Sequence, residues 1–374
     1  MSSPTDADSR AMPPQGDPAL VAVDRALEEL RHGRAVAVIR QAGAGEWRLV
    51  LALETAPVER VSWLLARGAE LAVTRERAFA LGAAPCDSDG VLLPLPAQVA
   101  ADRLLSLGQC WEVEGWRAVL GAAVDAIAPA DELAAAAVQL AKLAQLLPAL
   151  LVCVPANGAL PPDVLAVTPA QIGRHAMPVD ADVQRVSEAR VPLMGDIPSH
   201  FVLFRDRRDA SEHVAVVVGA PNVAGVVPVR VHSSCFTGDL MGSLRCDCGE
   251  QLHTAVARLH AAGGGVLLYL AQEGRGIGLA NKLRAYQLQD EGLDTVDANQ
   301  RLGFSADERD YGIAAAMLRS LGITRIRLLS NSPQKVSALR SRGIEVTAIE
   351  KLPGTPNVHN ERYLRTKRER AGHL

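Results

Sequence analysis

Chemistry can be argued first from Cys235, Cys246 and Cys248. They lie in the stretch RVHSSCFTGDLMGSLRCDCGEQL (230–252) at a C-x10-C-x-C spacing, on either side of a loop holding Gly238, Asp239 and Gly242. Thiolates are soft ligands, and three of them converging from a turn suit zinc. Three protein ligands leave the fourth tetrahedral position open for water, whose pKa zinc lowers toward neutrality. Two other readings fit the same residues: His232 or His253 would complete a purely structural site, and three unliganded thiols need no metal. Cys86, Cys110 and Cys153 stand alone and read as inert thiols.

Further along are groups suited to a phosphorylated ligand. Glu273-Gly274-Arg275 forms a turn between a buried strand and a helix, where backbone N–H groups and an arginine can hold phosphate. Its glycines do not make the dinucleotide fingerprint, so a Rossmann site is not supported. Ser330 and Lys335 bracket a helix opening at Ser332-Pro333, with Ser as cap and Pro in the first turn. A helix start beside a lysine attracts anions. Asp307 and Arg309 sit two apart in a polar loop and, read plainly, make a surface ion pair. Tyr286, on an amphipathic helix, reads equally well as a core residue.

These groups need a scaffold. A chain of 374 residues with 48 % apolar content has room for two cored domains. The spacing predicts a helix over 20–32, strands over 35–39 and 47–53 around a 42–45 turn, a helix over 57–66 and a strand over 70–74. Asp131 caps a helix running to Leu147, which feeds a strand over 149–154. The long apolar stretch 133–154 carries Gln139, Lys142 and Gln145 on one face and breaks at Pro148, so it is no membrane span. Prolines crowd 155–178, and the boundary is placed near 180. Beyond it come strands at 213–218 and 226–231, a helix at 251–261, a strand at 266–270, helices at 279–290 and 311–321, and strands at 325–329 and 345–349. The basic 362–370 stretch reads as a solvated tail, and residues 1–18 as a disordered one without a signal peptide. The expected fold class is α/β (mixed α+β) in two domains. A net charge of −3 provides no field for nucleic acid or membranes, and the C-terminal basic residues lack interleaved aromatics. A cytoplasmic enzyme of small metabolites fits.

The stretch 183–374 resembles GTP cyclohydrolase II. The resemblance rests on the cysteine spacing with its GSLRCDCG run, on QEGRGIGL (272–279), NKLRAY (281–286) and LGFSADERD (302–310), and on the final Gly372-His373-Leu374. It implies a C-terminal domain over 181–374 that opens the guanine imidazole ring at C8, expels formate and releases pyrophosphate. It also implies one zinc on Cys235, Cys246 and Cys248, Tyr286 assisting ring opening, and Asp307 and Arg309 as catalytic residues. Family roles for that pair are proton acceptor and nucleophile toward the α-phosphorus. A guanidinium stays protonated, so a bidentate phosphoryl clamp is the easier role, and the covalent step is left open. Nucleotide-binding positions fall on Arg230, Val231, His232, Ser233, Ser234, Gln251, Glu273, Gly274, Arg275, Thr295, Ser330 and Lys335. Magnesium on the triphosphate and a homodimer are expected. Ser234 stands where the family usually has Glu, Ser330 where it has Thr, and Ser332 and Gln334 where it has Asn and Lys. The first change removes a charge beside the metal and bears on rate or substrate. A regulatory paralogue that binds nucleotide without turnover, or one acting on another base, is the competing reading.

ALEELRHGRAVAVIR (26–40) resembles the opening of 3,4-dihydroxy-2-butanone 4-phosphate synthase, which many bacteria fuse ahead of this cyclohydrolase. The family's acidic magnesium loop corresponds here to QAGAGEW (41–47), with Glu46 as its single carboxylate, and magnesium needs more oxygen ligands than that. The expectation for 19–180 is a degenerate, non-catalytic domain.

Overall fold

The computed structural model describes residues 17–41, 46–109, 113–154, 160–176 and 183–370. Outside them lie residues 1–16 of the expected tail, the 42–45 turn, Cys110, the stretch 155–159, the boundary near 180 and the Gly-His-Leu terminus. Asp17 and Pro18 are not tail: the Asp17 carboxylate accepts from Ala19 N–H at 3.0 Å and caps the first helix, α1 (Pro18–Arg31).

The first half is built on a sheet ordered β5-β4-β3-β6-β2-β1-β7. Its strands are β1 (Val36–Ile39), β2 (Trp47–Ala52), β3 (Glu70–Thr74), β4 (Gly90–Leu93), β5 (Ala128–Pro129), β6 (Ala149–Cys153) and β7 (Ala166–Val167). All pairs are antiparallel except β1 with β7. Alternate residues enter two cores: Ala37, Leu49 and Leu51 face one, Val36, Val38, Val50 and Ala52 the other. Both faces are therefore covered, which is why these strands read as near-continuous apolar runs. The covering helices are α1, α2 (Val58–Leu65), α3 (Arg75–Ala80), α4 (Ala101–Gly108), α5 (Val113–Leu120), α6 (Glu132–Leu143) and α7 (Pro169–Ala176). Asp131 caps α6, accepting from Ala134 N–H at 2.8 Å. The helix stops at Leu143 rather than Leu147: Gln145 turns left-handed at φ +59°, and Pro148 disfavours helix at the residue before it.

The second sheet runs β14-β13-β11-β12-β10-β9-β8, from β8 (Val183–Arg190), β9 (Ser199–Asp206), β10 (Glu212–Gly219), β11 (Val227–Ser233), β12 (Gly264–Leu270), β13 (Arg325–Leu329) and β14 (Glu345–Glu350). The four strands β14, β13, β11 and β12 are parallel, and the other three extend the sheet antiparallel. With it come α8 (Cys248–Ala261), α9 (Gly278–Asp290), α10 (Thr295–Leu302), α11 (Gly312–Ser320), α12 (Pro333–Arg340) and α13 (Glu361–Arg370). The fold is mixed α/β with two sheets. No helix among the described residues is long and apolar enough to cross a membrane.

Two expectations about the second half are corrected. Ser332 stands at the cap position of α12 without a side-chain cap bond; instead its N–H donates to Ser330 Oγ at 3.1 Å. The basic tail is helix α13, tied down by Arg370 to Asp297 at 2.7 Å and to Asp294. Its inner face is not solvated.

Candidate active site

Parallel strands present their carboxyl ends on one side, and ligands of such sheets bind there. Here β11 ends at Ser233 and leads into Ser234-Cys235, β12 leads into Gln272–Arg275, and β13 leads into Ser330–Lys335. A cavity of about 130 Å³ opens among these ends. It gathers Arg230, His232, Ser233, Ser234, the three cysteines, Gln251, Glu273, Gly274, Arg275, Tyr286, Thr295, Arg309, Ser330 and Lys335. Two expected residues are not in its wall. Val231 is inside β11, where its carbonyl accepts from Lys335 Nζ at 2.8 Å. Asp307 stands behind Arg309.

The thiols meet because the loop after β11 folds back on the start of α8. Their sulfurs lie within 4.8 Å of one another, and Cys235 and Cys246 are 3.7 Å apart. Zinc–thiolate bonds of about 2.3 Å put tetrahedral sulfur pairs roughly 3.8 Å apart, so the triad fits that ion. Gly238 shapes the cradle: a Cβ there would lie 2.8 Å from Cys246 Sγ and 3.0 Å from Cys235 Sγ. Gly238→Ala should therefore cut zinc content several-fold, readable by metal analysis of purified protein, with the fold kept. Neither histidine joins the cluster. His232 is buried and bonds Asp239 through Nε2 at 3.0 Å, while exposed His253 bonds the Gly249 carbonyl through Nδ1 at 2.7 Å. Among the described residues no fourth donor stands with the three thiols. Hydrogen bonds from Cys246 and Cys248, with Lys282 nearby, hold the Cys235 thiol far below its ordinary range, and donating to Cys235 pushes the other two thiols up. A cation at the centre removes that conflict.

Around the thiols the wall is cationic. Arg230, Arg275, Lys282, Arg309, Lys335 and Lys367 line it, with Glu273 as its carboxylate. Glu273 is already engaged, accepting from Phe236 N–H at 2.6 Å and Lys282 Nζ at 2.8 Å. Burial, then repulsion from Arg230 and Arg309, pulls the Lys335 ammonium well below its usual range. Burial likewise pulls Arg230 down to about 10. Such cations are destabilised by solvent exclusion and gain from an anionic ligand. Arg309 keeps its charge: although burial opposes it, the Asp307 fork, with contacts of 2.6 and 2.8 Å, holds it up. The loop before α9 places Arg275 at φ +62°, a conformation non-glycine residues rarely hold. Its guanidinium donates to the Ala306 carbonyl at 3.1 Å. The Tyr286 hydroxyl lies 3.5 Å from Thr237 Oγ1, and burial raises its pKa.

Several wall residues escaped the sequence reading. Lys282 Nζ donates to Cys235 Sγ at 3.1 Å. The signal was available, since Lys282 and Tyr286 are four apart on one helix face. Tyr363 and Lys367 come from α13, where Lys367 pairs with Asp247 at 2.7 Å, and Asp247 accepts from Gln251 Nε2 at 2.6 Å. Gln272 and Asn299 also line the cavity, and Gln272 Oε1 and Asn299 Nδ2 are buried without a hydrogen-bond partner among the described residues.

A thiol triad inside a cation-lined cavity is an arrangement suited to metal-assisted hydrolysis of a phosphorylated substrate. Comparison with known proteins narrows the reading. Residues 184–351 match the family model of GTP cyclohydrolase II. GTP cyclohydrolase-2 of Azospirillum brasilense is 44 % identical over 383 residues, covering 100 % of this chain and 99 % of that one. Its namesake in Xylella fastidiosa (strain Temecula1) is 41 % identical over 96 % of this chain and 89 % of that one. Riboflavin biosynthesis protein RibBA of Parabacteroides distasonis is 51 % identical over 48 % of this chain and 45 % of that one. Among solved structures, RibBX, a two-domain 3,4-dihydroxy-2-butanone 4-phosphate synthase from A. baumannii, covers 89 % of this chain and 99 % of that one at 18 % identity. The TM-score of that match is 0.31. The chain belongs to the GTP cyclohydrolase II family.

Proposed function

We propose that this chain hydrolyses GTP to 2,5-diamino-6-hydroxy-4-(5-phosphoribosylamino)pyrimidine, formate and pyrophosphate, the entry step of riboflavin biosynthesis, with zinc on Cys235, Cys246 and Cys248. The observation that supports this most directly is that one cavity is lined both by the thiol triad and by six cationic side chains. A base-opening metal and a triphosphate cradle are what the two halves of the reaction require.

When bound, zinc supplies a water acidic enough to act as a nucleophile near neutral pH. Arg230, Arg275 and Lys335 neutralise the triphosphate, and magnesium enters with it. Arg309, held by Asp307, clamps the phosphoryl group that is transferred. Tyr286 moves a proton during ring opening, and Gln272 and Asn299 offer unspent polar atoms to the base. A second copy of the chain would cover Leu240, Met241 and Leu244, which stand exposed in the loop between the cysteines. The first half, spanning roughly 19–180, is non-catalytic in this reading. Glu46, the carboxylate left in its former magnesium loop, is paired with Arg40 at 2.9 Å. A cytoplasmic location goes with the reading.

Incubating the purified chain with GTP and assaying formate and pyrophosphate tests it; neither product appearing would end it. Tyr286→Phe sharpens the test. Loss of a positioned proton donor costs about 10²-fold or more, so formate release should fall by that order while pyrophosphate release falls much less. Equal losses would make Tyr286 a packing residue.

A further inference from the structure

The first half touches the second at places that bear on the reaction. Lys142, at the end of α6, meets Glu308 at 2.9 Å. Glu308 separates Asp307 from Arg309, and its carboxylate also accepts from Ser305 N–H at 2.8 Å and Ser305 Oγ at 2.6 Å. Its N–H donates to the Arg275 carbonyl at 3.0 Å. One ion pair thus fixes the 305–309 loop and, through it, the loop carrying Arg275. Gln145 follows directly. Its Nε2 donates to the Gly276 carbonyl at 3.3 Å, and its own carbonyl accepts from Asn281 at 2.8 Å. Asn281 stands beside Lys282 on α9. Glu54 pairs with Arg284 of the same helix at 2.8 Å while accepting from Leu147 N–H at 2.6 Å.

An apolar contact backs these polar ones. Leu147 is fully buried in a cluster with Ile277, Ala285, Leu288, Ala298, Leu302 and Phe304. At Gly303 a Cβ would lie 2.6 Å from Pro148 Cγ, so the proline ring of the first half packs against the glycine backbone of the second. The polar partners Gly276, Asn281, Arg284 and Glu308 belong to segments that carry Arg275, Lys282, Tyr286, Asp307 or Arg309, and the apolar contact reaches α10, which brings Thr295 and Asn299 to the cavity wall. A merely solubilising appendage would have no reason to converge on them. Gln145 also keeps a left-handed backbone, strain that a side chain tolerates where its surroundings over-determine it.

We propose that the first half is a clamp holding the reactive loops of the GTP site in register, with Lys142 and Gln145 as its positioning residues. The inference rests on the activity proposed above, and its test carries a readout independent of turnover. Lys142→Met keeps the aliphatic stem and removes the charge; Lys142→Arg keeps both. Gln145→Gly removes the side chain at a left-handed position where glycine is relaxed, so the fold is not put at risk. Misplacing reacting groups by about an ångström costs up to about 10²-fold. In the full-length chain, Lys142→Met and Gln145→Gly should each lower kcat by about tenfold, with KM for GTP changed by less than about threefold and zinc content unchanged. Lys142→Arg should restore most of the rate. In parallel, amide hydrogen exchange over 274–284 and 303–309 should quicken in both loss variants and not in Lys142→Arg. Parental exchange in those segments for both loss variants overturns the clamp, whatever the turnover. If the parent chain releases neither product, the activity reading falls, and faster exchange in the variants still upholds the clamp.

Discussion

Cys246→Ser should abolish formate release from GTP, by about 10³-fold or more, and leave the protein with little or no bound zinc. A serine hydroxyl is a hard, un-ionised donor near neutral pH and replaces a thiolate poorly. Only three donors converge among the described residues, so losing one leaves two, and neither His232 nor His253 is placed to step in. The substitution should not unfold the domain. The sheet core, built on Val229, Val231, Leu268 and Leu328, is closed without the metal. Zinc analysis, circular dichroism and product assay on one preparation separate these effects. A folded Cys246→Ser protein that binds zinc normally and turns over GTP at the parental rate would remove the thiol triad from the mechanism.

That site was legible because its parts are local. C-x10-C-x-C needs only one loop and one helix start, and the anion-binding groups follow the ends of strands whose β-branched runs read clearly. Residues brought by tertiary folding were not legible. Tyr363 and Lys367 lie in ERYLRTKRER, where charged residues at most positions hide any apolar stripe, and only the docked helix shows which face is inside. Lys282 belongs to a recognised run, yet nothing in that run says its ammonium reaches Cys235. In the fold, β8 was missed because QRVSEAR is exposed along its length: an edge strand with no buried face has no period-two signal. Short helices such as α4 and α5, about two turns each, gave too few repeats to read. The role of the first half was hidden for another reason. Its apolar pattern reports a core, and the contacts that matter come from Lys142, Gln145 and Glu54, surface-type residues whose partners lie more than a hundred positions away.

Arg309→Lys is the second large effect expected, and it decides what the arginine does. The guanidinium spends Nε and one Nη on the two Asp307 oxygens and turns its other Nη toward Ser233 Oγ at 3.5 Å, on the cavity side. A lysine keeps the positive charge but has one ammonium, which cannot hold both carboxylate oxygens and still reach a phosphoryl group. If the role is a preorganised clamp, pyrophosphate release should fall by about 10²- to 10³-fold, the usual loss for a transition-state donor. GTP binding should weaken far less, because Arg230, Arg275 and Lys335 still line the cavity. Asp307→Asn should show the same pattern in milder form: the arginine stays charged but loses the anchor that aims it. Stopped-flow detection of pyrophosphate alongside equilibrium binding of a non-hydrolysable GTP analogue measures both quantities. Parental pyrophosphate release by Arg309→Lys would mean that charge alone suffices and that the Asp307 fork has no part in the reaction.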